Sequence, residues 1–159
     1  LFPYTTLFRS SLPHLLVLQP LTANAQPFYF NLNTAAFDAL QRNSAYNWSG
    51  QVRLGRRPAL QSVGMGEESI LLKGAVFPLR RQVGNQEKVV GLEQLEALRR
   101  LAERREPLIL SSGYGEVQMG LWCLVRISEN QSALLGNGAP RKQTFDLEFK
   151  RYGDDLPNR

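Results

Sequence analysis

The chain has 159 residues, 43% of them hydrophobic and 21% charged, which is the composition of one globular domain and not of a disordered or fibrous chain. No apolar run reaches the roughly 18 residues of a membrane span, and a single cysteine, Cys123, excludes an intrachain disulfide. The formal charge of +5 belongs to the first half: seven basic residues and two acids lie between Arg42 and Arg81, against eleven of each sign from Gln82 onward. Such an excess fits a solvated face, or contact with nucleic acid or an acidic protein partner.

Leu1 to Ser10 resembles, residue for residue, one reading frame of a common short-read sequencing adapter, and is set aside from the fold. Leu12 to Leu18 is apolar and Ala23-Asn24-Ala25 has the shape of a signal-peptidase site. Pro20 interrupts that run, and the only basic start, Arg9, lies in the adapter-like decamer. Residues 1–25 are therefore expected to be an artefactual or disordered extension, with the domain at 26–159. His14, the lone histidine, falls in the extension and is assigned no chemistry.

Along the domain, Phe28, Phe30 and Leu32 alternate with polar residues, as in a strand. Asn33 or Thr34 is placed to cap a short helix over about 34–41, with Ala36, Phe37 and Leu40 on its apolar face. Tyr46, Trp48, Val52 and Leu54 keep even parity against Asn47, Ser49, Gln51 and Arg53, the pattern of a half-buried strand with a bulge at Gly50. Gly55-Arg56-Arg57-Pro58 reads as a turn, and Gly64 to Glu68 as a second turn after Ala59–Val63. Ser69 to Pro78 is apolar on both parities, so it is expected inside the sheet. Arg80 to Lys88 is polar and expected to be exposed.

Leu92, Leu95, Leu98, Leu101 and Ala102 form one helical stripe over about 91–105, with Glu96 and Arg100 in favourable order and Glu106-Pro107 as the stop. Leu108–Leu110 is a short strand before the Gly113-Tyr114-Gly115 turn. Met119, Leu121, Cys123, Val125 and Ile127 are expected on the apolar face of the next strand, with Cys123 a buried, inert thiol and Trp122 opposite. After the Gly136-Asn137-Gly138 turn, Phe145, Leu147 and Phe149 give the cleanest period-two pattern in the chain. These elements predict an α+β single domain: a mostly antiparallel sheet, a main amphipathic helix and a short N-terminal one.

No catalytic, cofactor or metal site is expected. There is no Ser-His or Cys-His pair outside the extension, no zinc-ligand spacing, and neither glycine-rich turn has phosphate-loop spacing. The adjacent pairs Glu67-Glu68 and Asp154-Asp155 point to opposite sides of an extended chain, which makes poor two-carboxylate sites.

Five blocks in order resemble the GpU family of contractile-tailed temperate phages. Gly64-Met65-Gly66-Glu67-Glu68-Ser69-Ile70-Leu71-Leu72-Lys73-Gly74 is similar to its G-x-G-[ED]-[ED]-x-I-x-L-x-G segment. Asn43 to Trp48 and Gln51 to Ala59 resemble its aromatic strand and its R-[IV]-G-x-R-x-A turn. Gly120 to Glu129 resembles its G-x-[YW]-x-[IV] strand, and Asn137 to Arg151 its D-G-x-P-R-K-x-x-F-x-L-x-L-x-R ending, with Asn137 where aspartate is usual. Leu79 to Lys88 is more basic than that family's loop.

The resemblance implies a structural virion component acting in tail assembly, at the tube end or baseplate, without enzymatic activity or cofactors. It implies assembly in the bacterial host cytoplasm, a ring-forming homo-oligomer such as a hexamer, and tail tube, tape-measure or baseplate hub proteins as partners. Nucleic acid and membrane are not expected as partners. Exposed sheet edges suit ring contacts, and the candidate subunit contacts are Arg53, Arg56 and Arg57 in the turn and Arg141, Lys142, Phe149 and Arg151 on the final strand. Two other readings stay open: a nucleic-acid-binding module built on the basic 42–81 region, and a tail-associated cell-wall hydrolase using Glu67 and Glu116.

Overall fold

The computed structural model describes residues 16–22, 24–30, 36–112, 118–134, 136, 138 and 140–153. Nine strands and one helix follow in order: β1 (Leu16–Pro20), β2 (Phe28–Phe30), β3 (Ala36–Arg53), β4 (Arg56–Val76), β5 (Leu79–Val83), β6 (Gln86–Val90), α1 (Glu93–Glu103), β7 (Leu108–Ser112), β8 (Gln118–Leu134) and β9 (Pro140–Arg151). Seven strands make one antiparallel sheet, ordered β2-β1-β7-β8-β9-β4-β3, and β5-β6 form a separate hairpin.

The sheet curls until its two edges approach. Phe30 on edge strand β2 lies 6.3 Å, ring to ring, from Phe37 on edge strand β3 and 6.3 Å from Phe145 on β9. Inside the curl, Ile70, Leu72, Trp122, Leu147 and Phe149 are fully buried, and Leu95, Leu98 and Leu101 of α1 close the core. Each helix leucine contributes about 2 kcal/mol by leaving water. Helix α1 carries Glu93 and Glu96 in its first turn, where the helix dipole favours acids. It ends where Arg105 adopts a φ of +54°, just before Pro107.

The two-helix α+β expectation is corrected: nine strands and a single helix of 11 residues make this a mostly antiparallel β protein among the described residues. Residues 36–41, expected in the short helix, lie in β3, with Leu40 opposite Leu72 and Gln41 opposite Leu71. The spacing of Ala36, Phe37 and Leu40 suits a helix face, but the ladder to β4 overrides that local preference. Asn33 and Thr34 lie outside the described residues.

Other expectations also change. Gly64 to Glu68 is not a turn but the middle of β4, and the hairpin tip is Leu54-Gly55, with Arg53 opposite Arg56. Arg80 to Lys88 folds into the β5–β6 hairpin around Gly84-Asn85. Leu16–Pro20, assigned to the extension, is an interior strand between β2 and β7, with Leu16 and Leu18 buried. In β8 the parity is reversed from Leu121 to Val125: Trp122 is buried, Leu124 packs on the core, and Val125 is exposed at a bulge between Leu124 and Arg126, whereas Met119 and Ile127 pack on the core as expected. Cys123 is half-buried, on the other side of the strand from Trp122, and desolvation pushes its thiol above the usual range. The strand patterns at Phe28–Phe30 and at Phe145, Leu147 and Phe149 are found as expected.

Leu147→Ala is expected to cost about 2–5 kcal/mol, because it leaves a cavity at the centre of the curl. Leu54→Ala at the hairpin tip is expected to change stability by less than about 0.5 kcal/mol. Urea unfolding of both variants checks the pair; equal losses would contradict this core.

Candidate functional site

The feature that stands apart from the body is the distal β3–β4 ribbon. β9 pairs with β4 only from Ser69 to Val76, whereas β3 and β4 pair on to Arg53 and Arg56. From Ser44 outward the ribbon therefore runs roughly 30 Å without a third strand. Among the described residues no strand pairs with the outer side of β3.

The register fixes what each face carries. Beyond Ala39 every extra residue in the bulged ladder lies on β4, so the alternation of β3 is unbroken to Arg53. Leu40 faces the core, and Arg42, Ser44, Tyr46, Trp48, Gly50 and Val52 continue that face outward. Met65 lies opposite Tyr46, and Leu60 opposite Gly50, so both join it. The other face of β3 is polar except for Ala45: Gln41, Asn43, Asn47, Ser49, Gln51 and Arg53. The core-facing side of the sheet thus continues along the ribbon, and none of the described residues covers it. Tyr46 and Trp48 are each 60% exposed, Leu60 68% and Met65 70%. Of ten exposed large hydrophobics among the described residues, seven lie on the ribbon, which marks it as the surface built for contact. Of the half-buried strand expected at Tyr46–Leu54, Tyr46 to Arg53 is strand and Leu54 is at the hairpin tip, and its large hydrophobics are exposed.

A polar clamp holds the ribbon at its root. Glu68 accepts hydrogen bonds from Ser44 Oγ at 2.9 Å and Arg42 Nη2 at 3.1 Å, and its second oxygen lies 3.7 Å from Arg151 Nη1. Arg42 and Arg151 each lie 5.5 Å from the centre of the Trp122 ring. Trp122 Nε1 and Arg151 Nη1 both donate to the Met119 carbonyl at 3.0 Å. Strands β3, β4, β8 and β9 therefore meet in one charged cluster. The Ser44 hydroxyl, then the Arg42 and Arg151 guanidiniums, outweigh desolvation and hold the Glu68 carboxyl below its ordinary range. Two glycines are required here. A Cβ on Gly66 would lie 2.8 Å from the Ala45 carbonyl oxygen, and one on Gly120, at φ +97°, would lie 2.8 Å from the Arg151 guanidinium. On the opposite side of β4, Glu67 pairs with Lys150 at 2.8 Å.

A second cluster ties α1 to β8. Arg99 donates to both Glu96 and Glu129, taking the place of the expected Glu96–Arg100 pair. Glu129 also accepts from Gln131 at 2.7 Å and Gln143 at 3.0 Å. Burial raises the Glu129 carboxyl, but the Gln131 and Arg99 bonds prevail and hold it low. Beside this cluster, Arg99, Ala102, Glu103, Leu124, Val125, Arg126 and Ile127 line an open groove between α1 and β8.

Of the residues singled out as subunit contacts, Arg53, Arg56 and Arg57 are exposed at and beside the ribbon tip, and Arg141 and Lys142 are exposed at the start of β9. Lys142 lies over the Phe77 ring at 5.6 Å. Phe149 is fully buried and belongs to the core, and Arg151 belongs to the clamp. The final strand is not an edge, since β9 lies between β8 and β4. Glu116 lies outside the described residues, and Glu67 faces Lys150 rather than a second carboxylate. No cluster of potential metal ligands occurs among the described residues. Sequence reasoning missed Glu68, Arg42 and Trp122 as one unit; the Gly-x-Gly-Glu-Glu block was the one signal that pointed to Glu68.

A sheet with a projecting amphipathic ribbon presents an apolar surface outside its own core. The family comparison places it among phage proteins: the family model described as Phage P2 GpU matches residues 26–154, and the chain belongs to that family. A curated relative, the "Probable tape measure protein" of Halomonas phage phiHAP-1, is 26% identical over 134 residues, covering 84% of this chain and 14% of that protein. The chain thus spans about a seventh of the curated relative it matches. A chain in the cryo-EM structure of the anti-feeding prophage (AFP) baseplate, 6-fold symmetrised, is similar at a TM-score of 0.38 and 17% identity, covering 89% of this chain and 90% of that one.

Glu68→Gln is expected to cost about 1–2 kcal/mol, because two arginines lose their carboxylate partner. The Glu68 carboxyl titrates below its ordinary 4.5 in the folded protein, so its contribution is full above that value and is lost as pH falls through the folded pKa. Urea midpoints of wild type and variant should therefore converge in acid and diverge toward neutral pH. A gap that is constant with pH would contradict the clamp.

Proposed function

We propose that this chain is a structural component of a phage tail, acting at the tube end or baseplate, without catalytic activity. Family membership supplies the class, and the observation that carries the assembly role is the uncovered apolar ribbon. An isolated two-stranded hairpin is marginal in water, and a long apolar face left exposed is a liability unless a partner covers it. The protein is a homo-oligomer that closes into a ring, such as a hexamer, within the virion tail, after assembly in the host cytoplasm. Its neighbours are the tape-measure, tail tube or baseplate hub proteins. That a related stretch lies within a longer protein named for a tape measure supports the first of these. Arg53, Arg56, Arg57, Arg141 and Lys142 are the exposed contact candidates.

A second reading has one observation in its favour: exposed Tyr46 and Trp48 lie on a ribbon whose residues 42–66 hold four arginines and no acid, as in a single-strand nucleic-acid platform. Salt-sensitive retention of the pure protein on single-stranded DNA separates the two, since phosphate contacts weaken steeply with salt. The tail reading expects none at physiological salt.

The tail reading is tested in the phage or prophage that encodes the chain. An epitope-tagged copy is expected at one end of purified tails, and a null mutant to yield no complete tails. The triple variant Arg53→Glu, Arg56→Glu, Arg57→Glu should fold normally yet enter particles about ten-fold less, because charge reversal at a complementary contact costs affinity. Complete tails from the null mutant would defeat the reading.

A further inference from the structure

The seven-stranded sheet ends in β2 on one side and in β3 on the other. β2 has 3 residues, and a short edge offers little to pair with. β3 has 18, and among the described residues no strand pairs with its outer side. Edge strands are commonly blunted by a proline, by charged side chains or by a bulge that twists them away. β3 has none of these along the ribbon. From Asn43 to Val52 it carries no charge and no proline. The bulges beyond Ser44 put their extra residues on β4, so the outer edge of β3 stays regular to Arg53. A row of backbone N–H and C=O groups therefore lies open for roughly 30 Å, beside the face that carries Tyr46, Trp48 and Val52. Such an edge takes an added strand through main-chain hydrogen bonds, and the alternating side chains set which strand.

Charge says what that strand carries. Arg53, Arg56 and Arg57 are exposed at the tip, and no ion pair among the described residues engages them. Arg53 and Arg56 lie opposite each other, so both fall on the face away from Trp48. A strand with apolar residues on the Trp48 side and carboxylates on the other extends the first face and neutralises the second. No open edge of a second copy offers one. β2 is uncharged, and the β5–β6 hairpin holds Arg80, Arg81 and Lys88 against Glu87. On β8 beyond Trp122, Arg126 and Glu129 are already paired, with Glu148 and Arg99. A second β3, paired antiparallel, sets the tip beside a root whose Glu67 and Glu68 already hold Lys150, Arg42 and Arg151.

We propose that the outer edge of β3, from Ser44 to Arg53, takes an extended segment of a partner protein, in which apolar and acidic residues alternate, as a third strand of the ribbon. The apolar residues lie beside Tyr46 and Trp48, and the carboxylates beside Arg53 and Arg56. A peptide matches this edge better than a nucleic acid does, because the edge alternates donors with acceptors and a phosphodiester chain offers acceptors only. This mode rests on the tail-assembly reading above for the existence of a partner, and adds the surface and the chemistry that recognise it.

Titration of the isotope-labelled full chain with synthetic peptides of about eight residues, close to the length of the open edge, tests it by nuclear magnetic resonance. The probe alternates valine and glutamate. One control replaces glutamate by lysine, and another methylates every backbone nitrogen. The valine–glutamate peptide should shift the amides of Ser44 to Arg53 and bind about ten-fold or more tighter than the lysine control. The methylated peptide keeps its charge but loses its donors, and should not bind. Arg53→Glu combined with Arg56→Glu, both at exposed positions, should invert the preference toward the lysine peptide, which an unfolded variant would not do. Absence of binding up to about 1 mM, shifts elsewhere in the sheet, or equal binding of the methylated peptide each overturn the mode. Tighter binding of oligothymidylate at the same residues overturns it in favour of nucleic acid. Self-association of the wild type that protects this edge and excludes the peptide overturns it in favour of a second copy. The tail role fails separately, by absence of the tagged chain from particles.

Discussion

The structure depends on where β9 stops. It backs β4 from Ser69 to Val76, and there the apolar side of the sheet is covered by α1 and by the curl of β1 and β2. Past Ser69 the two-stranded ladder continues with the same face pattern but without backing or cover from the described residues. The consequence is a protein in two energetic parts. The body is stabilised by a closed core, whereas the ribbon has only its own ladder and the clamp at its root, since two strands alone are marginal in water.

The clamp sets the direction in which that ribbon leaves. Glu68 joins β4 to Arg42 and Ser44 on β3 and to Arg151 on β9, while Trp122 of β8 lies under both guanidiniums. An exposed ion pair contributes little, but this network is partly buried and links four strands. Its first effect is geometric: it fixes the root of the ribbon against β8 and β9. Gly66 and Gly120 leave the room in which the strands and the Arg151 side chain come that close.

Much of this was legible in the sequence, within limits set by what periodicity reports. The leucine stripe of α1 and the alternation of β9 were plain, because a single period fits each. Ala36-Phe37 with Leu40 fits a helix face as well as a strand, and only the partner strand decides between them. Parity counted through β8 put Val125 inside and Trp122 outside, since one bulge exchanges the faces of everything on one side of it. Tyr46, Trp48 and Val52 were correctly placed on one face. The pattern says that a face is apolar, and not which chain covers it. The Glu68 cluster joins residues far apart in the chain, so local spacing carried no trace of it.

Hydrogen–deuterium exchange along the ribbon tests the central claim, that a neighbouring subunit covers its apolar face. Amides from Ser44 to Met65 are predicted to exchange fast in monomeric protein, as expected for a ladder without cover. In the assembled form they should become strongly protected. Assembly that leaves the ribbon unprotected, or that protects β2 or the β5–β6 hairpin in its place, would contradict the account.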